Sequence, residues 1–142
     1  MAIAETMMLH SAIHWTDAAN ACLWKMAAQH AVFLHNQMPN KQTGVSPHDL
    51  LTRSRWEQPK FHDLHIWGCS VHCLDEEVHD GKKLPRWKPR SHQTMNIGLS
   101  AKHASTVPLV LNLDSGCINS HLNIAFDDCL SLLQLPPSPC QI

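Results

Sequence analysis

Leu109-Val110-Leu111-Asn112-Leu113, Asp114-Ser115-Gly116 and then Ile118 through Phe126 form the stretch on which the fold reading turns. The first run is rich enough in branched apolar residues to read as a strand. Asp114-Ser115-Gly116 reads as a hairpin loop. In the return segment Ile118, Leu122, Ile124 and Phe126 recur at even spacing, with Asn119, His121 and Asn123 between them. That period of two sends the two sets to opposite faces of one returning strand.

Upstream, the same period begins at Phe61. Leu64, Ile66 and Val71 lie in a run from His62 to Asp75, with Gly68 marking a bulge or a close backbone approach. Asp80-Gly81 is a turn. Together these signals predict a small antiparallel barrel of about five short strands over residues 61–128. Downstream, Leu135-Pro136-Pro137-Ser138-Pro139 lies in a proline-rich tail, residues 134–142, expected to be disordered.

Further upstream the period changes to that of helices. Ala4, Met8, Ser11 or Ala12, and Trp15 fall on one helix face. Thr16-Asp17 is expected to cap a second helix, whose apolar face carries Leu23, Met26, Ala27, His30, Ala31 and Leu34. Pro39-Asn40 ends it, because proline cannot continue the hydrogen-bond ladder. Ser46-Pro47-His48-Asp49 opens a third, short helix with a capping serine and proline at the first position. The expected class is therefore α+β, with helices over residues 1–56 followed by the barrel.

Composition agrees with a folded chain. Of 142 residues 44% are hydrophobic and 16% charged, enough for one domain or two small ones sharing a core. The net charge of -1 selects neither nucleic acid nor an acidic partner, although protonation of the twelve histidines near pH 6 would make the surface more positive. The N-terminus lacks a signal-peptide pattern, and no run approaches the roughly 18 apolar residues of a membrane span. The expectation is a soluble intracellular protein with no membrane partner, its six cysteines reduced.

Ala4-Glu5-Thr6-Met7-Met8-Leu9-His10, His14-Trp15, Leu23-Trp24, His30-Ala31-Val32-Phe33-Leu34 and Asn36-Gln37-Met38-Pro39 follow one another in an order that resembles copia-type retrotransposon integrases. Thr43-Gly44-Val45-Ser46-Pro47 is similar to that family's Thr-Gly-x-Ser/Thr-Pro element. Leu64-His65-Ile66-Trp67-Gly68-Cys69, Asp80-Gly81-Lys82-Lys83-Leu84-Pro85, Trp87-Lys88-Pro89-Arg90-Ser91 and Phe126-Asp127-Asp128 resemble the module that follows the integrase core. Each motif is weak alone; their order from about Ala4 to Leu133 carries the resemblance. It implies helices left from an RNase H-like integrase core, then an SH3-like barrel, as part of a retrotransposon polyprotein concerned with DNA integration. The partners it implies are DNA or RNA and other segments of the polyprotein.

The same resemblance argues against an enzyme. Integrases of this kind hold two divalent metals with three carboxylates for phosphoryl transfer. Two of those would lie on strands upstream of anything in this sequence, and Glu5 aligns better with the arginine of the family's Ala-Arg-Thr-Met run than with the third. The expectation is a non-catalytic fragment with no metal, no cofactor and no small-molecule substrate. The alternative is a protein-interaction module, or a relic without a nucleic-acid role. The chain also departs from the family at Asn96, Leu122 and Leu130, where aromatics are usual. An amide in the barrel at Asn96 is expected to be costly, about 1–3 kcal/mol if left without partners.

Six residues are candidates for nucleic-acid contact: Lys82, Lys83, Arg86, Trp87, Lys88 and Arg90. Five of the eleven basic residues fall within the nine positions from Lys82 to Arg90, with no acid between them. Such density suits phosphates, and Trp87 suits stacking on an exposed base. The competing reading is a solvated loop with Trp87 tucked into the barrel. His62, His65, Cys69, His72 and Cys73 form the densest set of potential metal ligands. They lack paired knuckles, and no fourth ligand joins His65, Cys69 and Cys73 on one face, so structural roles are expected. No nucleophile motif and no glycine-rich phosphate loop is present among five glycines.

Overall fold

A computed structural model describes residues 2–53, 64–83, 85–100, 102–103 and 107–129. The start of the expected first strand, Phe61 and His62, lies outside them, as do Leu84, Leu130, Cys140 and the proline-rich tail. The described chain is α+β, with helices α1 (Ala2–His14), α2 (Trp24–Gln37) and α3 (Pro47–Thr52) preceding strand β1 (Ser70–Leu74). A single helical turn, α4 (Glu76–His79), separates β1 from β2 (Ser91–Leu99). Then come β3 (Pro108–Asn112), β4 (Ile118–Ser120) and β5 (Ile124–Asp127). The strands form one open, antiparallel sheet in the order β4-β3-β2-β1-β5.

The deciding stretch folds differently from its reading. Ile118 to Phe126 is not one return strand: it breaks at residues 121–123 into β4, which pairs with β3, and β5, which crosses to pair with β1 at the opposite edge. Leu122, at the break, is 77% exposed, so no core position depends on its side chain. The other correction in the sheet is β2. It is the longest strand and lies at the centre, yet it carries no alternating pattern. Thr94 to Gly98 is buried on both faces, so a period of two has nothing to report. One extra residue enters β2 opposite β3 between Asn96 and Leu99, where Gly98 takes φ +107°.

The helices cover one face of this sheet. Met95, Ile97 and Leu111 from β2 and β3 pack with Ala4, Trp15, Leu23, Ala27 and Trp67. Two glycines permit the approach. At Gly68 (φ +84°) an added Cβ would lie 3.0 Å from the Ser11 Cβ, which bears out the close approach expected there. At Gly98 it would lie 2.9 Å from the His30 ring nitrogen. Trp15 fixes the register, its buried Nε1 donating to the Gly68 carbonyl at 2.7 Å. The second helix is not capped by Thr16-Asp17: Asn20 accepts from the Cys22 amide and opens a 3₁₀ turn, Ala21–Leu23, that runs into α2. The third helix is capped as read, with Ser46 Oγ accepting from the Asp49 amide at 3.1 Å.

On the other face lie Cys69, Val71, Cys73 and Val110, flanked by Ile124 and Phe126. Asn96 sits here, 3% exposed, and its amide is not orphaned. Its Nδ2 donates to the Ile66 carbonyl at 3.0 Å, and its Oδ1 accepts from the Gly98 amide at 3.1 Å. The expected cost disappears because the amide ties the bulge in β2 to the segment before β1. The buried donor without a partner among the described residues is instead Trp67 Nε1.

Candidate functional site

The basic segment between α4 and β2 is exposed along its described length. Gly81, at φ +74°, turns the chain out of α4, and Lys88 N–H donates to the Pro85 carbonyl to close a second turn. The loop thus projects from the sheet, anchored at its end by the bond from the Asp75 amide to the Arg90 carbonyl at 3.0 Å. Trp87 is 90% exposed, so the reading that tucks it into the barrel is wrong. The Arg86 guanidinium carbon lies 5.9 Å from its ring centroid, within cation–π range.

Of the six candidates, Lys82, Lys83, Arg86 and Arg90 line one open hollow of about 410 Å³ beside Val78 and Gly81. Lys88 does not join them. It turns to Glu77 at 2.8 Å, and the hydrogen bond and charge of that pair hold Glu77 below and Lys88 above their ordinary ranges. Four cations therefore share a surface, with the exposed Trp87 ring next to Arg86.

Lys88 and Glu77 border a second concavity that sequence reasoning missed. It is a cleft of about 320 Å³ at the polar end of the sheet face that carries Cys73 and Val110, lined by Asp75, His92, Asn112, Asn119 and His121 together with that pair. His92 Nδ1 meets Asp75 Oδ1 at 2.7 Å, and the His121 ring stands edge-on to His92 at 6.3 Å. The Asn112 side-chain oxygen accepts from the amides of Asp114 and Ser115, which fixes the side chain as the turn begins. The signal that could have found the cleft is the register. Cys73 pairs with His92, Thr94 with Asn112, and Val110 with Asn119, so polar side chains continue the face that Cys73 and Val110 start.

The histidine and cysteine set expected to be structural is spread among different partners. His65 stacks on Phe126 with centroids 3.4 Å apart and meets Asp128 at 2.8 Å. Burial pushes the Asp128 carboxyl up, but the bonds from His65 and the Ile66 amide outweigh it and hold the carboxyl below its usual range. Cys69 is buried, and burial followed by the nearby Asp128 charge pushes its thiol up to about 12. A thiol so placed is neither a nucleophile nor a ready metal ligand at neutral pH. Cys73 is raised by burial in the same way and contacts Thr94 Oγ1 at 3.2 Å. His62 lies outside the described residues. No group of three or more histidine, cysteine or acidic side chains converges as a metal site among the described residues.

Comparison with protein-family models, curated proteins and solved structures finds no match. The site therefore stands on its own geometry. No helix among the described residues is long and apolar enough to cross a membrane.

Proposed function

We propose that this chain is a non-catalytic part of a retrotransposon integration apparatus that binds nucleic acid through the loop from Lys82 to Arg90. The observation that carries the reading is the loop's exposure. Four cations gather around one hollow, and beside them stands a tryptophan that contributes nothing to the core. A ring that size left in water costs hydrophobic free energy, of the order of 1.5–3 kcal/mol against a buried one. A stacked base would recover much of that. The cations suit phosphates, with Arg86 bracing the ring.

The finer fold belongs to the same proposal. A five-strand sheet ordered 4-3-2-1-5, with its last strand returning to the first, supports the SH3-like reading, and the preceding helices support descent from an integrase core. We assign this stretch to binding because of the cations and the exposed ring on its loop.

Salt decides the matter. Four phosphate contacts to a single strand, at about 0.7 released counterions each, weaken binding roughly 50-fold between about 50 and 200 mM salt. A Lys82→Ala/Lys83→Ala/Arg86→Ala variant should lose most affinity and most of that slope. Binding that ignores salt, or survives the triple variant, refutes the reading and favours a protein-interaction module.

A further inference from the structure

We infer that the cleft bounded by Asp75, His92, Asn119 and His121 receives a single unpaired base of the strand whose phosphates lie on the basic loop, and that it favours bases bearing an exocyclic amino group. The inference rests on the nucleic-acid reading of the loop and adds a seat for the base. It starts from how charge is divided between the two concavities. They flank the same loop: Glu77 borders the cleft and Val78 the hollow, and Lys88 borders the cleft between Arg86 and Arg90 of the hollow. The hollow holds four cations, whereas the cleft holds two carboxylates, each already paired, Asp75 with His92 and Glu77 with Lys88.

The cleft's charges are thus matched within it, so phosphate is drawn instead to the four cations of the hollow a few residues away. A base is neutral, and its rim carries donors and acceptors. A carboxylate beside His92 retains lone pairs that accept from an amino group, as acidic side chains do with cytosine N4. Asparagine amides offer one donor and one acceptor side, the pattern that suits adenine. Thymine, which has no amino group, offers the acidic wall only its single ring N3–H. The size also fits one small polar ring, since about 320 Å³ is at the low end of ligand sites. A base inside a duplex has its pairing edge occupied, so the cleft selects single strands.

The test measures binding of fluorescent twelve-nucleotide dC, dA and dT strands, and of a duplex, to the full chain at fixed moderate salt. The expected result is dC and dA binding roughly five-fold or more tighter than dT, with the duplex weaker than dC. Asn119→Ala, on an exposed edge strand, and separately Asp75→Asn should narrow the dC-to-dT ratio while leaving dT affinity within about two-fold; thermal unfolding checks that each variant is folded. Equal, salt-sensitive affinity for all three strands overturns the cleft and leaves the loop standing. A preference that both folded variants retain also overturns it, as does a duplex that binds tighter than dC. Failure of every nucleic acid to bind overturns the cleft and the loop together.

Discussion

The two faces of β2 sit one residue apart in sequence and have different occupations. Met95 and Ile97 point to the helices, into a cluster with Trp15, Trp67, Ala27 and Leu111. Thr94 and Asn96, with His92 farther along, share the register of Cys73, Val71 and Val110 on the other face, which ends in the polar cleft. The covered face consists of large apolar side chains crossed by one hydrogen bond from Trp15. The other face mixes a small apolar cluster, Val71, Val110, Ile124 and Phe126 among it, with polar side chains such as Thr94 and Asn96 that bond to the backbone. The larger apolar cluster lies on the first face, and the second combines a smaller one with the polar side chains that lead to the cleft.

That contrast can be broken most severely at Trp15. Trp15→Ala removes a buried ring and leaves the Gly68 carbonyl without its donor. We expect a loss of about 4 kcal/mol in urea-induced unfolding, close to the whole stability of a small domain. A loss under about 1 kcal/mol would mean that the helices do not hold the sheet. Gly98→Ala tests the same interface from the strand side. The added methyl meets the His30 ring in a backbone conformation that side chains rarely adopt, and the expected cost is about 2–3 kcal/mol.

His30 sharpens the comparison through pH. Burial lowers its pKa from the ordinary 6.5. As pH falls below that value the unfolded chain takes the proton first, so the stability His30 contributes is complete above 6.5 and is lost as pH falls toward the folded pKa. Unfolding curves measured near neutrality and about one and a half units lower should show a loss in the native chain that His30→Gln reduces. An identical loss in both places His30 outside the protonation that matters. The smallest effect is expected at Trp67. Its Nε1 has no partner among the described residues, so Trp67→Phe removes an unsatisfied donor along with some volume. The net change in the midpoint of unfolding should correspond to about 1 kcal/mol or less. A loss as large as that of Trp15→Ala would reveal a partner for the indole.

Much of the fold was legible. The helix faces, the capping serine at Ser46, the turn at Asp80-Gly81 and the strand at Leu109 could be read because each is a local signal set by near neighbours. What escaped was non-local. β2 was hidden because burial on both sides erases alternation, and the segment from Ile118 to Phe126 read as one strand because its even spacing survives a break. Asn96 read as a defect because its partners, Ile66 and the bulge at Gly98, become neighbours only in the folded sheet. The basic loop was plain as a charge run, whereas the cleft beside it combines residues from Asp75 to His121 and has no signature in any one stretch.

The sequence by itself determined an α+β chain, the faces of its first two helices, the start of the third and a cationic loop with a tryptophan in it, since composition and short-range period suffice for those. Only the tertiary structure decided which way Trp87 faces, which of the loop's cations pairs with the Glu77 carboxylate and what stands on the face of the sheet that ends in the cleft. Those outcomes depend on strand pairing across fifty residues of chain, and pairing is set by how whole faces pack and not by any residue's own preference.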